Sequence, residues 1–439
     1  MTRLHSVVWP APITALLISI AALLAYLPGL DRPYSWDESI TVHRFVATPS
    51  ILDALRRQVE YNNHPLLSLV DHMLYTLTGS SGEALMRFVP LLAVVTAIGL
   101  CTHECTRRLG ALPGLCCGLL IAVNPVVVDA ARTARGYGLV MLCAVGATMV
   151  AMRLVEGSTS RTAGALYVVA CALGVASQLY MLFVIAIHVA FVLTSRRCSP
   201  LWIARWVLGL TLGGMMYVGL AAEMFHSQVA GEFRPGFVSE LGEALLGSGI
   251  AALVVLPVIA AGIALGARGP GMVAAIGAGA VLVLGDIVVL HPAYLYPRFF
   301  VWAVPGVATL CALAVRRAPS LAILVMASAA VAVSAMIPRT TLGDVASRTA
   351  AATVVAAHER GDLVCVDNAA PLEAYDAAAI ATVPRTLREL AACDTVVLLY
   401  APGPEAAAAL LAGWPYTGTL PAITPGQVWS RRPIPSVGN

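Results

Sequence analysis

Residues 86–128 read MRFVPLLAVVTAIGLCTHECTRRLGALPGLCCGLLIAVNPVVV. Two apolar runs, 86–105 and 111–128, flank a polar turn that carries Arg107 and Arg108. Each is close to the roughly 20 apolar residues that a helix needs to cross a bilayer core. A chain in that core must satisfy its backbone internally, which helices do. The pair therefore predicts two membrane spans joined by a basic turn, and the same pattern recurs on both sides of it.

On that criterion further spans are expected at 11–30, 137–155, 163–179, 181–195, 201–222, 243–266, 271–290, 299–315 and 319–337, about eleven in all. The composition agrees. Of 439 residues 59% are apolar and only 12% charged, against about a quarter charged in soluble domains. The net charge of +3 is too small to suggest nucleic acid. The first apolar run lacks a small-residue cleavage site and reads as a retained span. Short loops holding Arg107 and Arg108, Arg153 and Arg161, Arg196 and Arg197, Arg268, and Arg316 and Arg317 all fall on the side of Arg3. The positive-inside bias then puts the N-terminus in the cytoplasm and the C-terminal region outside a plasma membrane. Of ten cysteines, eight sit in or beside apolar spans, where Cys is a small hydrophobe, and no pair has the spacing of a zinc site. Cys365 and Cys393 lie in the polar tail, where a disulfide is open if that tail is extracytoplasmic.

The expected architecture is an all-α polytopic membrane domain over 1–338 and a small soluble α/β domain over 339–439. The first outer loop, 31–85, holds SILDALRRQVE (50–60) and PLLSLVDHMLYTL (65–77), which read as amphipathic helices in the interface. In the tail, DLVCVDN and DTVVLLY are strand-like runs between Ala-rich helical stretches. No G-x-G-x-x-G follows either strand, so a nucleotide site is not indicated.

Four outer-face elements carry candidate chemistry. In SWDE, Ser35 and Glu38 have the spacing of a capping box, which accounts for Glu38 structurally and leaves Asp37 over. In NNHP, Pro65 opens a helix and His64 is either a surface histidine or a ligand. In DAARTARGYG, Arg132 and Arg135 share a helix face, as a surface pair with Asp129 or as a phosphate clamp. In HPAYLYPRFF, Arg298 is either a snorkelling arginine in an aromatic belt or a substrate contact.

In this order the elements resemble the GT-C membrane glycosyltransferases, the group of the protein O-mannosyltransferases and the aminoarabinose lipid A transferase. The resemblance covers roughly the first 200 residues: WDE, HPLLSLVDHMLY, EALMRFVPLLA, NPVVVDAARTARGYGLVML and SQLYMLFVIAIHVAF, and much later YPRFFVWAVPG. The chain departs from the family at Leu66, where a second proline is common, and at Thr133, where an acidic residue is common. It also lacks a Tyr-Thr-His signature around Ser177–Tyr180. The resemblance implies transfer of a sugar from a polyprenyl-phosphate donor to an envelope glycan, glycolipid or protein acceptor on the outer face, with inversion. It points to Asp37 as base and Glu38 as structural or acceptor-orienting. Arg135, Tyr137, Arg298 and, more weakly, Arg132 then face the donor phosphate, while His64 orients acceptor or phosphate. No ligand cluster demands a cofactor, and a divalent metal stays open.

Two rival classes remain. A transporter or lipid flippase would carry ionisable residues near the midplane. Here His103 and Glu104 sit near the inner end of a span, Asp286 near an outer end, and only His188 is central, where a satisfied buried histidine is the simpler reading. A catalytically degenerate envelope-assembly protein is the other.

Overall fold

The computed structural model describes residues 10–56, 63–218, 237–246, 250–266, 270–285, 296–333, 342–366, 381, 393–398 and 427–430. The expected features at Asn62, Asp286 and His291–Leu295, most of the tail, and parts of the segments 50–60, 201–222, 243–266, 271–290 and 319–337 lie outside them. The chain divides into two compact units, one of residues 1–30, 58–70 and 87–338, the other of 31–57, 71–86 and 339–439.

The first unit is helical. Its helices are α1 (Ala11–Tyr26), residues 65–70 of α4 (Pro65–Thr78), α6 (Phe88–Leu109), α7 (Ala111–Ala122), α8 (Pro125–Ala131), α9 (Tyr137–Val155), α10 (Arg161–Ser177), α11 (Met181–Thr194) and α12 (Pro200–Gly214). After these come α13 (Phe237–Leu246), α14 (Ile250–Gly266), α15 (Pro270–Gly285), a 3₁₀ segment Pro297–Ala303, α16 (Val304–Arg317) and α17 (Leu321–Ala332). Each expected apolar run contains a described helix, but 111–128 is divided between two, and in several runs the helix covers only part of the expected length. By length and composition three described helices suffice to cross a membrane, Glu83–Leu109, Tyr137–Val155 and Pro297–Arg317, and a fourth if the bent pair α7–α8 is one span. The helices are apolar outside as well as inside: Leu24 on α1 is 61% exposed and Ile323 on α17 is 72% exposed. Surfaces of that kind suit lipid better than water.

The run 111–128 is not one straight helix. α7 ends before Asn124, whose side chain accepts hydrogen bonds from the amides of Val126 and Val127. Pro125 then occupies the first turn of α8, where its missing N–H costs nothing. The axis turns by 65° there. Upstream, Gly114 and Gly118 on α7 let it close onto α6. A Cβ at Gly114 would lie 2.7 Å from the Thr106 backbone, and one at Gly118 would meet the Thr102 hydroxyl. This is the small-xxx-small contact by which membrane helices pack without a hydrophobic driving force. α6 also packs on α1 and α9, α9 on α10, and α10 on α12.

Polar ties lock the ends. The Tyr26 hydroxyl donates to the Ala122 carbonyl at 2.5 Å, and Arg87, fully buried, donates to the Leu30 carbonyl at 2.8 Å. His188 is satisfied at both ring nitrogens, by Thr148 and Tyr167 at 3.0 Å each.

In the second unit, α2 (Trp36–Thr41) runs into a π-helical turn, Val42–Val46, and is followed by α3 (Ile51–Arg56). His72 of α4 bonds the Val46 carbonyl at 2.8 Å and lies 3.3 Å from the Thr48 hydroxyl. The short helix α5 is Glu83–Met86, and Tyr34 donates to the Ser81 carbonyl. In the tail, β1 (Val364–Val366) pairs parallel with β2 (Thr395–Leu398), which pairs antiparallel with β3 (Gln427–Ser430). Helix α18 (Leu342–Glu359) packs on all three. The two expected strand runs are β1 and β2; β3 had no counterpart in the sequence reading. Cys365 and Cys393 form a disulfide with a Cα separation of 5.9 Å.

Candidate active site

The site residues of the first unit are set by three helix starts. Asn63 accepts from the His64 amide and from the Ser68 hydroxyl, both at 2.7 Å. That fixes the entry to α4 and buries His64. Arg135 and Gly136 form the turn into α9, whose first residue is Tyr137. Arg298 stands in the first turn of the 3₁₀ segment opened by Pro297.

These elements converge on one spot. The His64 and Tyr137 rings meet edge to face at 4.9 Å. The Arg298 guanidinium stacks over Tyr137, 5.6 Å from its centroid, and over Tyr296 at 4.5 Å. Tyr137 also faces Phe299, which in turn packs on Tyr180. Arg135 is only 2% exposed.

His64 Nδ1 lies 2.9 Å from the Ser177 carbonyl. A carbonyl can only accept, so Nδ1 carries the proton and Nε2 presents a lone pair. Burial, then the charge of Arg135, hold this imidazole well below the usual histidine range; the Ser177 bond opposes them and Arg298 adds to them. His64 is therefore neutral at physiological pH. Nε2 has no hydrogen-bond partner among the described residues, and neither has the buried Tyr137 hydroxyl or the Gln178 Oε1. The spot thus gathers two guanidinium groups, a phenolic hydroxyl and a neutral nitrogen able to accept from a hydroxyl. Gly136 is required there: a Cβ would come within 2.6 Å of the Ser177 carbonyl and 2.9 Å of His64 Nδ1.

Arg132 goes elsewhere. It is buried, and its guanidinium donates to the carbonyls of Ala25 at 2.6 Å and Tyr26 at 3.2 Å. It thereby caps the C-terminal end of α1, where a cation suits both the open carbonyls and the helix dipole.

Asp37 and Glu38 belong to the second unit. The Glu38 carboxylate accepts from the Ser35 amide at 2.9 Å, and the reciprocal capping box is formed. Glu38 is fully buried, Asp37 is 9% exposed, and the Asp37 carbonyl accepts from the Thr41 hydroxyl. Sequence reasoning missed Gly136, Ser177 and Gln178, although SQLY had been marked as a departure from the family pattern. It also passed over Asp71 on α4. Both Asp71 carboxyl oxygens are buried without a hydrogen-bond partner among the described residues, and burial pushes this carboxyl well above its usual range. The native state then holds a proton that the unfolded chain has released above about pH 4, so stability falls as pH rises from there towards the native pKa. Asp71→Asn removes this term. Its thermal midpoint in detergent should exceed wild type at pH 8, with the gap closing towards pH 4–5; parallel profiles would contradict the buried neutral carboxyl.

The chain shares its fold with solved structures of two other proteins. ArnT from Cupriavidus metallidurans in the apo state superposes with a TM-score of 0.59 at 14% identity, over 90% of this chain and 94% of that one. The same protein bound to undecaprenyl phosphate gives 0.58 at 13%, with the same coverage. The Archaeoglobus fulgidus oligosaccharyltransferase, in complex with zinc and sulfate, gives 0.56 at 12%, over 88% of this chain and 67% of that one. At these identities the likeness is one of fold. No protein-family model matches the chain, and no curated protein matches its sequence. Among the described residues, the one cluster of three metal-capable side chains is Cys101, Cys105 and Cys117, and neither Asp37, Glu38 nor His64 belongs to it.

Proposed function

We propose that the chain is an integral-membrane glycosyltransferase that moves a hexose or pentose from a polyprenyl-phosphate donor to an envelope glycan, glycolipid or protein acceptor on the outer face, with inversion. The observation that carries this reading is the convergence of Arg135, Arg298 and Tyr137 on a neutral His64, within a fold shared with a protein solved bound to undecaprenyl phosphate. In the proposed step Asp37 takes the proton of the acceptor hydroxyl while the new bond to the anomeric carbon forms. The bond to the phosphate oxygen breaks on the opposite face, and polyprenyl phosphate leaves with the electron pair. Arg135 and Arg298 stabilise the charge that develops there. His64 Nε2 lacks a proton to give a phosphate, so its part is to accept from a sugar or acceptor hydroxyl. Glu38 holds the start of α2, and Arg132 holds α1.

Eleven spans, a cytoplasmic N-terminus and an extracytoplasmic α/β tail complete the proposal. The described helix within each expected apolar run supports it, as does a disulfide in the tail, which suits an oxidising compartment. The transporter reading is weakened because its midplane histidine is internally satisfied.

The test is titration of undecaprenyl phosphate into the purified protein. Arg298→Ala should weaken binding by about 10- to 100-fold, the worth of a charge-assisted contact. Unchanged affinity would make Arg298 an interfacial anchor. Sugar transfer by the wild type from a labelled polyprenyl-phosphate donor separates the enzyme from a degenerate assembly protein.

A further inference from the structure

The three thiols set apart from the candidate site lie where α6, α7 and α16 meet. Cys101 and Cys105 are one turn apart on α6, so they share a face; their C-x3-C spacing falls within the range of zinc sites, contrary to the expectation from sequence. Cys117 stands on the α7 turn that Gly114 and Gly118 press against α6. Its sulfur is 3.5 Å from that of Cys105 and 3.7 Å from that of Cys101. All three ligand atoms lie within 4.8 Å of one another and all three residues are buried. The hydroxyl of Thr309 on α16 completes the group, 3.8 Å from Cys105 Sγ and 4.0 Å from Cys101 Sγ. It spends its proton on the Pro305 carbonyl at 2.7 Å, which leaves its lone pairs towards the sulfurs.

Four donors from three helices thus surround one point, three soft and one hard. Two thiolates bound to a common ion at about 2.3 Å, with tetrahedral angles, stand a little under 4 Å apart. The observed spacings need only small shifts to meet that. No carboxylate or imidazole joins the set, which disfavours magnesium and calcium and favours a thiophilic ion.

We propose that Cys101, Cys105 and Cys117 bind one thiophilic d¹⁰ cation, Zn²⁺ or Cu⁺, with Thr309 beside the open position. Binding releases one proton per coordinating thiol and involves no oxidation. The ion would cross-link α6 and α7 and so act on the structure of the bundle rather than on sugar chemistry.

The experiment uses the full chain, purified under reducing conditions into phosphatidylcholine nanodiscs without chelator. Elemental analysis should find about one equivalent of zinc or copper per chain, and which element is found assigns the ion. After metal removal, added Co²⁺ should produce a thiolate-to-cobalt charge-transfer absorption. Both signals should vanish in Cys117→Ser and persist in Cys116→Ser, which changes the neighbouring cysteine outside the cluster. If Cys117→Ser does not fold, the wild-type stoichiometry and cobalt spectrum decide alone. A wild type with reduced thiols, no stoichiometric metal and no cobalt band overturns the proposal. So does a mass two daltons low, from a disulfide among the three.

Discussion

On the proposed mechanism Asp37→Asn should lower sugar transfer by about 10²- to 10⁴-fold, the usual contribution of a positioned general base, with the thermal midpoint at wild type. The substitution keeps side-chain shape and leaves intact the hydrogen bond from the Thr41 hydroxyl to the residue-37 carbonyl. It also spares the helix start, because the capping box is made by Ser35 and Glu38. Loss of activity in this variant at a wild-type thermal midpoint would be a loss of chemistry. Glu38→Gln is the companion. Gln retains an acceptor for the Ser35 amide, so its cost should be one of stability, about 1 kcal/mol, with most of the transfer retained. The assay is transfer in membranes supplied with labelled polyprenyl-phosphate sugar, normalised to folded protein. A fully active Asp37→Asn removes the base assignment, and a dead Glu38→Gln at normal stability would move it one residue along.

What was legible beforehand follows a physical divide. Apolar runs announce themselves because a chain in lipid must satisfy its backbone within a helix, and each expected run, from Ala11–Tyr26 to Leu321–Ala332, holds a described helix. The box at Ser35–Glu38 was legible because capping is local chemistry at fixed spacing. The break at Asn124–Pro125 is local too, yet it sat inside an apolar run and was passed over in favour of hydropathy. Spacing alone does not separate Arg132 from Arg135, since both follow the same helix at helical spacing; only the family resemblance ranked Arg132 lower. Their destinations depend on which helix lies opposite, the end of α1 for one and His64 for the other. For the same reason Ser177 and Gln178 were invisible as site residues. Ser177 contributes a backbone carbonyl, which every residue possesses, and its relevance arises only from a packing 113 residues distant in sequence.

The second large effect separates those two arginines. Arg135→Ala should lower kcat/KM by about 10²- to 10³-fold, as loss of a buried donor to developing charge does. It should also weaken undecaprenyl phosphate binding. Arg135→Lys, which restores charge without the planar fork, should recover part of the loss. A further readout distinguishes a charge at this site from a mere packing element. Arg135 is the largest charge holding down the His64 pKa, so its removal lets that pKa rise towards the usual histidine range. The variant should then show its remaining activity failing at a higher pH on the acid side than wild type, as His64 gains the proton that blocks Nε2. Arg132→Ala should behave in the opposite way. It loses two charge-assisted bonds to the end of α1, each worth about 1.5–3 kcal/mol, so its thermal midpoint falls while donor affinity and the pH profile of the folded fraction stay at wild type. If Arg132→Ala weakened donor binding as much as Arg135→Ala does, the assignment of these two residues to separate tasks would fail.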